Sequence, residues 1–489
     1  MADIVQSDVW ALGRLAGDAL YPPAASAPYP PDEIFPELAA VMPGPTPNPI
    51  FALVRGVLRD LGLDAAHFGT AQWNPLGDLV KPGGRIVVKP NWVMHANWGP
   101  GGMDCMITHP AILRAVLEYV FLTRPVQVVL GDAPLQGCDF ERMLDHGNMR
   151  AVIGHFQKQG RPLVVRDFRR TVLRNEDGLK RVAEELRPES EYVLVDLGPD
   201  SLLEPISKDW KKFRVTVYDP RLMWRHHHLG RHRFLIARDI LEADLVVNVP
   251  KLKAHKKAGI TCCLKNLIGI NGNKEYLPHH RKGGADSSRG GDNYEHHHWL
   301  MSLMEAMLDW MNRHRGHPWL YQQGERVVWH LLHRYRQREP GAQFEGSWYG
   351  NDTIWRTCLD LNRALLYAEA NGCLQETVQR QEVSIVDAVI AGQGEGPLDP
   401  TPLGTGAIFG AWNPAVGDFI GAALLGFAAD RIPLVRHACD DMRWRICARV
   451  AAELQTTIAQ RLAIQKAFLP ALAPRGWAGH IELDRTGQD

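Results

Sequence analysis

Residues 245–269 read LVVNVPKLKAHKKAGITCCLKNLIG. Leu245–Val249 is almost wholly apolar, the pattern of a strand covered on both faces of a parallel sheet. Pro250 ends it, and Lys251, Lys253 and His255 follow at once. Open α/β sheets carry their sites beyond the C-terminal ends of such strands. The chain then crosses Lys256-Lys257 and enters a stretch with helical potential, where Lys265 sits between Leu264 and Leu267. Thr261 is placed to cap that helix, whose free N–H groups favour an anion. A lysine desolvated among other lysines loses basicity and becomes a base or nucleophile.

The same strand-then-polar pattern recurs on both sides of this segment. Arg85–Lys89 is followed by Pro90 and Asn91, and Gln127–Gly131 by Asp132. Val383–Val386 is followed by Asp387 and the loop containing Glu395, and Gly406–Phe409 by Asn413 and Asp418. Helices are expected from Thr108, as N-cap, through Leu122, at Phe140–Met149 and at Ala415–Phe427. Further strands are expected at Leu163–Arg166, Tyr192–Asp196 and Val215–Tyr218. The fold class is therefore α/β: a mostly parallel sheet covered by helices, with a helical insertion and a helical C-terminal tail.

Four segments are expected. Residues 1–84 form a Pro-rich N-terminal arm with short helices, and its first fifty residues are unsuited to regular structure. Residues 85–280 and 381–430 form the α/β body with the site. Residues 281–380 are a His/Gly loop and helical insertion, with helices near 294–315 and 325–337. Residues 431–489 are a tail, helical over Asp440–Leu472.

Composition narrows the function classes. The 489 residues hold 55 Lys+Arg against 55 Asp+Glu, with 45% apolar and 22% charged residues. That balance excludes global disorder and disfavours a nucleic-acid partner, which needs a basic surface. The first twenty residues lack a basic and apolar leader. The apolar stretch Thr405–Phe427 is broken by Asn413, Pro414 and Asp418, so neither secretion nor a membrane partner is expected. None of the eight cysteines forms Cys-x-x-Cys, which removes iron–sulfur and zinc-ribbon signatures and fits a cytoplasmic location. Adjacent Cys262 and Cys263 read as small core residues before they read as a thiol site. Asp352 and Arg356 are four apart and read either as a helical ion pair or as a wall of the site.

Together these motifs resemble the domain-of-unknown-function 362 family. The resemblance rests on Val88-Lys-Pro-Asn91, Thr108-His-Pro110, Gly131-Asp-Ala-Pro134, Asn248 to His255, Thr261 to Gly269, Ile385-Val-Asp387 with Gly394-Glu-Gly-Pro397, and Asn413 to Asp418. Tyr276-Leu-Pro-His-His-Arg281 and Gly290-Gly-Asp292 look like a longer subgroup without a ferredoxin segment. The order His255, Lys265, then His279 or His280 is similar to the lactate-racemase family. Cys263-Leu-Lys265 stands where that family has Gly-Gly-x-Lys, so the resemblance implies fold and site location, not its nickel cofactor.

The site is accordingly expected to use His255, Lys265, Lys253 and Asp132 in catalysis. Lys89, Asn91, Asn266, Thr261, Asp387, Glu395, Asp418 and Arg356 are expected to bind substrate. A divalent metal, if used, would sit on His255, His279 and His280. The expected function is an isomerase- or racemase-like enzyme acting on a small carboxylate or phosphate by lysine/histidine acid–base chemistry, with or without metal assistance. A metal-dependent redox or transfer enzyme, and a non-catalytic sugar- or nucleotide-binding protein, are the alternatives. Self-association into a homo-oligomer is compatible with the sequence.

Overall fold

In the computed structural model, Leu245–Val249 is the middle strand of the longest path through a nine-stranded sheet. The structure describes residues 3–176, 179–215, 218–287, 290–314, 318–339, 343–464 and 467–483. The sheet strands are β1 (Trp10–Arg14), β2 (Arg85–Pro90), β3 (Gln127–Asp132), β4 (Leu163–Asp167), β5 (Leu245–Val249), β6 (Lys251–His255), β7 (Gly259–Thr261), β8 (Gln381–Glu395) and β9 (Asp399–Ala411). Their order is β1-β9-β8-β5-β2-β3-β4, with β6 bridging β8 and β7. Pairings from β8 through β5, β2, β3 to β4 are parallel, as is β6 with β8, whereas β1–β9, β8–β9 and β6–β7 are antiparallel. The α/β class and the mostly parallel sheet are as the sequence pattern requires.

The apolar runs are explained by helices on both faces. Val88 and Val247 pack into one core with α1 (Ile50–Asp60) and α2 (Pro110–Leu122). Their neighbours Val87 and Val246 point the other way, into a core with α6 (Ile354–Tyr367). Two-residue alternation between two dry faces keeps the strand apolar until Asn248, where it meets the site. A third core joins Val386 and Phe409 to α7 (Pro414–Leu424). The remaining helices used below are α3 (Cys263–Asn266), α4 (Trp299–Arg313), α5 (Pro318–Arg338) and α8 (Ala451–Ile464). The α4–α5 hairpin has its own small core, in which Met301, Met304 and Met311 meet Tyr321, Val328 and Leu332.

Several local expectations differ from what is found. The N-terminal arm contributes β1, which pairs along β9 from Trp10↔Ala411 to Arg14↔Ala407; an edge strand borrows its order from its neighbour, and five residues carry too little periodicity to announce it. Thr108 does not cap α2. His109 does, its Nδ1 accepting from the Ala111 N–H at 3.1 Å. Thr108 Oγ1 instead donates to the Val249 carbonyl at 2.7 Å and accepts from the Asn91 N–H at 2.8 Å. The tail helix spans Ala451–Ile464 rather than 440–472, because the preceding residues run against other segments, as where the Ala448 N–H donates to the Val5 carbonyl. The strand expected at Val215–Tyr218 falls partly outside the described residues.

Candidate functional site

Strands β2, β3 and β4 add outward in one direction, and the chain then returns to lay β5 on the other side of β2. The reversal between β2 and β5 is a topological switch point, where diverging loops leave a crevice at the strand ends. Lys89 and Asn91 leave β2 there, Asp132 leaves β3, and Asn248 to His255 leave β5. Short helix α3 supplies Lys265 and Asn266 from above.

These side chains form one buried polar network. Lys89 Nζ pairs with Asp132 Oδ1 at 2.7 Å and donates to the Pro90 carbonyl at 3.0 Å. Asp132 Oδ2 accepts from the Trp92 N–H at 2.7 Å, so both oxygens are engaged. Asn91 Nδ2 donates to Asn266 Oδ1 at 2.8 Å, and Asn266 Nδ2 donates to Asn248 Oδ1 at 2.8 Å. Lys253 Nζ donates to Asn91 Oδ1 at 2.5 Å and to the Met106 carbonyl. Lys274 Nζ donates to the Ala133 carbonyl at 2.9 Å. Gly269 lies against the ion pair: a Cβ there would stand 1.9 Å from Asp132 Oδ1 and 2.8 Å from Lys89 Nζ. Only glycine permits that approach.

Lys265 is different. It is 9% exposed, and its Nζ makes no hydrogen bond or ion pair with any described residue. Burial lowers its pKa, opposed by Cys358 and Asp132. Lys253 is held well below the usual lysine range by burial, then by Lys251 and Lys265. Lys274 is brought down to about 7 by burial, against Asp132 and reinforced by Lys265 and Lys89. Lys89 is lowered by burial despite Asp132. One carboxylate, Asp132, thus serves four lysines, and the field among them is positive.

Two histidines face the same field. His255 Nδ1 accepts from the Lys257 and Ala258 N–H groups at 3.1 and 3.2 Å, which places its proton on Nε2. Burial, then Lys265 and Lys253, hold it neutral, well below its usual pKa. His279 Nδ1 donates to the Leu277 carbonyl at 2.6 Å, leaving Nε2 as an acceptor. Burial, then Lys257, hold it neutral too, with Lys265 among the contributors. Neither Nε2 has a partner among the described residues. Lys257, half-buried and brought to about 8 chiefly by burial, stands at the rim beside Glu345 at 3.7 Å.

A second buried group adjoins the first through Lys251. Its Nζ pairs with Asp387 Oδ2 at 2.7 Å and donates to the Tyr21 hydroxyl at 2.6 Å. The hydroxyl in turn donates to Asp387 Oδ1 at 2.5 Å. Tyr21 stacks on His109 with centroids 3.8 Å apart, and burial lowers the His109 pKa to about 3. The N-terminal arm therefore closes over one flank of the crevice.

The remaining expected residues lie apart. Thr261 caps nothing; it pairs with Lys253 across β6–β7, and its buried hydroxyl has no partner among the described residues. The anion at the start of α3 is Asp418, whose Oδ1 accepts from the Leu264 N–H at 3.1 Å. Burial raises the Asp418 pKa to about 7. Glu395 accepts from the Arg475 N–H at 2.8 Å, on the side of the C-terminal tail. Arg356 closes the helical ion pair with Asp352 at 3.0 Å and donates to the Leu202 carbonyl at 2.8 Å. His280 is buried in a two-residue strand against Arg214, its Nδ1 unpartnered. His255, His279 and His280 do not gather their nitrogens as a metal set. Among the described residues, Cys262, Cys263 and Asp418 do, within 4.8 Å, but burial raises both thiol pKa values and disfavours the thiolates a metal needs. Lys274, Lys257 and Tyr21 were not anticipated: Lys274 lies in a polar turn (NGNKEY) and Tyr21 in the Pro-rich arm.

Fold and site define an α/β protein with a buried, lysine-rich polar network at the switch point of its sheet. The chain belongs to the family described as Domain of unknown function (DUF362), whose family model matches residues 161–423, more than half of the chain. Lys89, Asn91 and Asp132 lie before that match, and the sheet brings them to it. The chain is also similar to the thylakoid-associated protein sll1697 of Synechocystis sp., 30% identical over 81 residues, 17% of this chain and 25% of that protein. The aligned segment is thus a quarter of that relative's length. A crystal structure of a Thermotoga maritima protein aligns over 67% of this chain and 50% of its own at 9% identity and a TM-score of 0.27, too low to argue from. No helix among the described residues is long and apolar enough to cross a membrane.

Proposed function

We propose that the crevice binds a small anionic metabolite, a carboxylate or a phosphate, and that Lys265 and His255 move a proton on it. The observation that carries this reading is Lys265: a buried amine without a protein acceptor, beside Lys89, Lys253 and Lys274, with Asp132 the one carboxylate among them. Folding does not favour such an arrangement, because each lysine raises the cost of ionising the next. An arriving anion reverses that sign.

Lys253, Lys274 and the Asn91–Asn266 pair hold the anion, and Lys89–Asp132 sets the floor. Lys265, whose basicity burial lowers, takes the proton and returns it as the ammonium, and His255 Nε2–H is placed to hydrogen-bond the negative charge that develops in between. His255, Lys265 and His279, the order similar to the lactate-racemase family, enter as a proton-transfer set. The reaction class is isomerisation or racemisation next to the anionic group.

The test is titration calorimetry with inorganic phosphate and with small 2-hydroxy and dicarboxylic acids. Deuterium uptake from D2O at the carbon next to the carboxylate is then followed by NMR. Binding lost in Lys253→Met, and exchange lost in Lys265→Met, are expected. Absence of heat and of thermal stabilisation with every anion would end the proposal.

A further inference from the structure

The α4–α5 hairpin carries a surface that the crevice does not use. On α4, Trp299, Leu303, Ala306 and Trp310 are all exposed, and their spacing of four, three and four residues makes one stripe. On α5, Trp319, Leu320, Val327 and Trp329 are exposed as well. Four of the five exposed tryptophans among the described residues lie on these two helices. The inner faces are already satisfied by the methionine core, so this is an excess of apolar surface, not a misplaced core.

The charges on the hairpin are sorted. Its two acidic residues on α4 are turned inward: Asp309 pairs with Arg214 at 2.7 Å and Lys282 at 2.9 Å, and Glu305 accepts from Asn293 Nδ2 at 2.6 Å. Glu325 on α5 is half-buried. The exposed ionised side chains described on the two helices are Arg313, Arg326 and Arg334, with Glu339 exposed just past the end of α5. The outward face therefore combines indoles with arginines, and a second copy docked on it would set those arginines against their own kind.

We propose that this hairpin lies on an anionic lipid surface, its indoles at headgroup depth and its arginines against the lipid phosphates. Tryptophan suits that depth because its ring is apolar and its N–H is wet. Arginine suits it because the guanidinium forks onto phosphate. The hairpin lies on the surface and does not span it, which amends the sequence-based expectation that membranes play no part.

The experiment is co-sedimentation of the full chain with phosphatidylcholine vesicles and with vesicles that also contain phosphatidylglycerol, with indole fluorescence read in parallel. Binding and a blue shift are expected with the anionic vesicles, weakening with salt. Trp299→Ser and Trp310→Ser are each expected to weaken binding about tenfold. Arg313→Gln and Arg326→Gln are each expected to weaken it about fivefold at low salt. All four positions are exposed, and circular dichroism checks that the variants fold. No binding to anionic vesicles overturns the proposal, as does binding that survives both tryptophan substitutions. Concentration-dependent dimerisation abolished by Trp310→Ser, without vesicle binding, overturns it in favour of a second copy.

Discussion

Replacing Lys265 by Met is expected to stabilise the protein while removing its response to anions. Met keeps the length of the aliphatic stem and deletes the amine. The scale comes from Lys274, which has one carbonyl acceptor at 2.9 Å and is still brought down to about 7. Against about 10.4 for a free lysine, that is roughly 4–5 kcal/mol of opposition to folding at pH 7. Lys265 lacks even that acceptor. After relaxation and imperfect packing of the thioether, about 2 kcal/mol of gain is expected. Unfolding entropy of about 2.1 cal/mol/K per residue over the 489 residues gives roughly 1 kcal/mol per degree, so Tm should rise by about 2 °C.

The sign with pH follows from the same lowering. The unfolded lysine is protonated below its ordinary pKa and the folded one resists protonation, so the gain on Lys265→Met is present at pH 7. It fades as pH rises toward about 10.4 and is gone only above that value, where both states are neutral. The anion arm is independent: phosphate at about 100 times its Kd should stabilise the wild type by about 2.7 kcal/mol, or ~3 °C, and the variant by much less. The assay is thermal unfolding at pH 7 and pH 10, with and without phosphate. A variant with lower Tm, or one that keeps the full phosphate shift, refutes the reasoning.

Three further outcomes are expected. Asp418 has its carboxyl raised to about 7 by burial, so the folded state holds the proton more tightly and stability falls as pH rises from about 4 to 7, by up to ~4 kcal/mol; roughly 2.5 kcal/mol of that falls between pH 5 and pH 8, so urea unfolding of Asp418→Asn at those two pH values should show about that much less pH dependence, and an unchanged difference contradicts it. Gly269→Ala puts a methyl group onto the Lys89–Asp132 pair and should cost about 2–4 kcal/mol by urea unfolding, whereas a neutral effect would mean the pair moves aside freely. Tyr21→Phe removes the hydroxyl between Lys251 and Asp387 and should cost about 1.5–3 kcal/mol; limited proteolysis should then cut the N-terminal arm faster, and equal cutting rates would place the anchor elsewhere.

The pattern that was readable from residues alone is local. Five parallel strands announced themselves by short apolar runs, longest where the central strands are covered on both faces, and polar residues crowd the ends of those runs. Lys89, Asn91, Asp132, Lys253 and His255 are legible that way, Lys265 and Asn266 from the apolar helical stretch that follows, and the structure gathers them. Glu395 satisfied the same local rule and fell elsewhere, because a strand end names a layer of the fold and not a place within it, and Arg356, read as an ion pair or a wall, closes the ion pair.

What the tertiary structure decided is pairing. Which lysine each carboxylate neutralises depends on strand order, and order is set by packing between segments far apart in the chain. Thr108 and Thr261 look like helix caps locally, yet Thr108 is drawn to the Val249 carbonyl and leaves the cap to His109, and Asp418 reaches the start of α3 from across the fold. Tyr21 becomes a site neighbour only because β1 ties the arm to β9. Lys265 comes to lie among Lys89, Lys253 and Lys274 for the same reason, since each reaches it from a different segment. Sequence carries the chemistry of each group, and the through-space field that sets its charge exists only once the sheet is assembled.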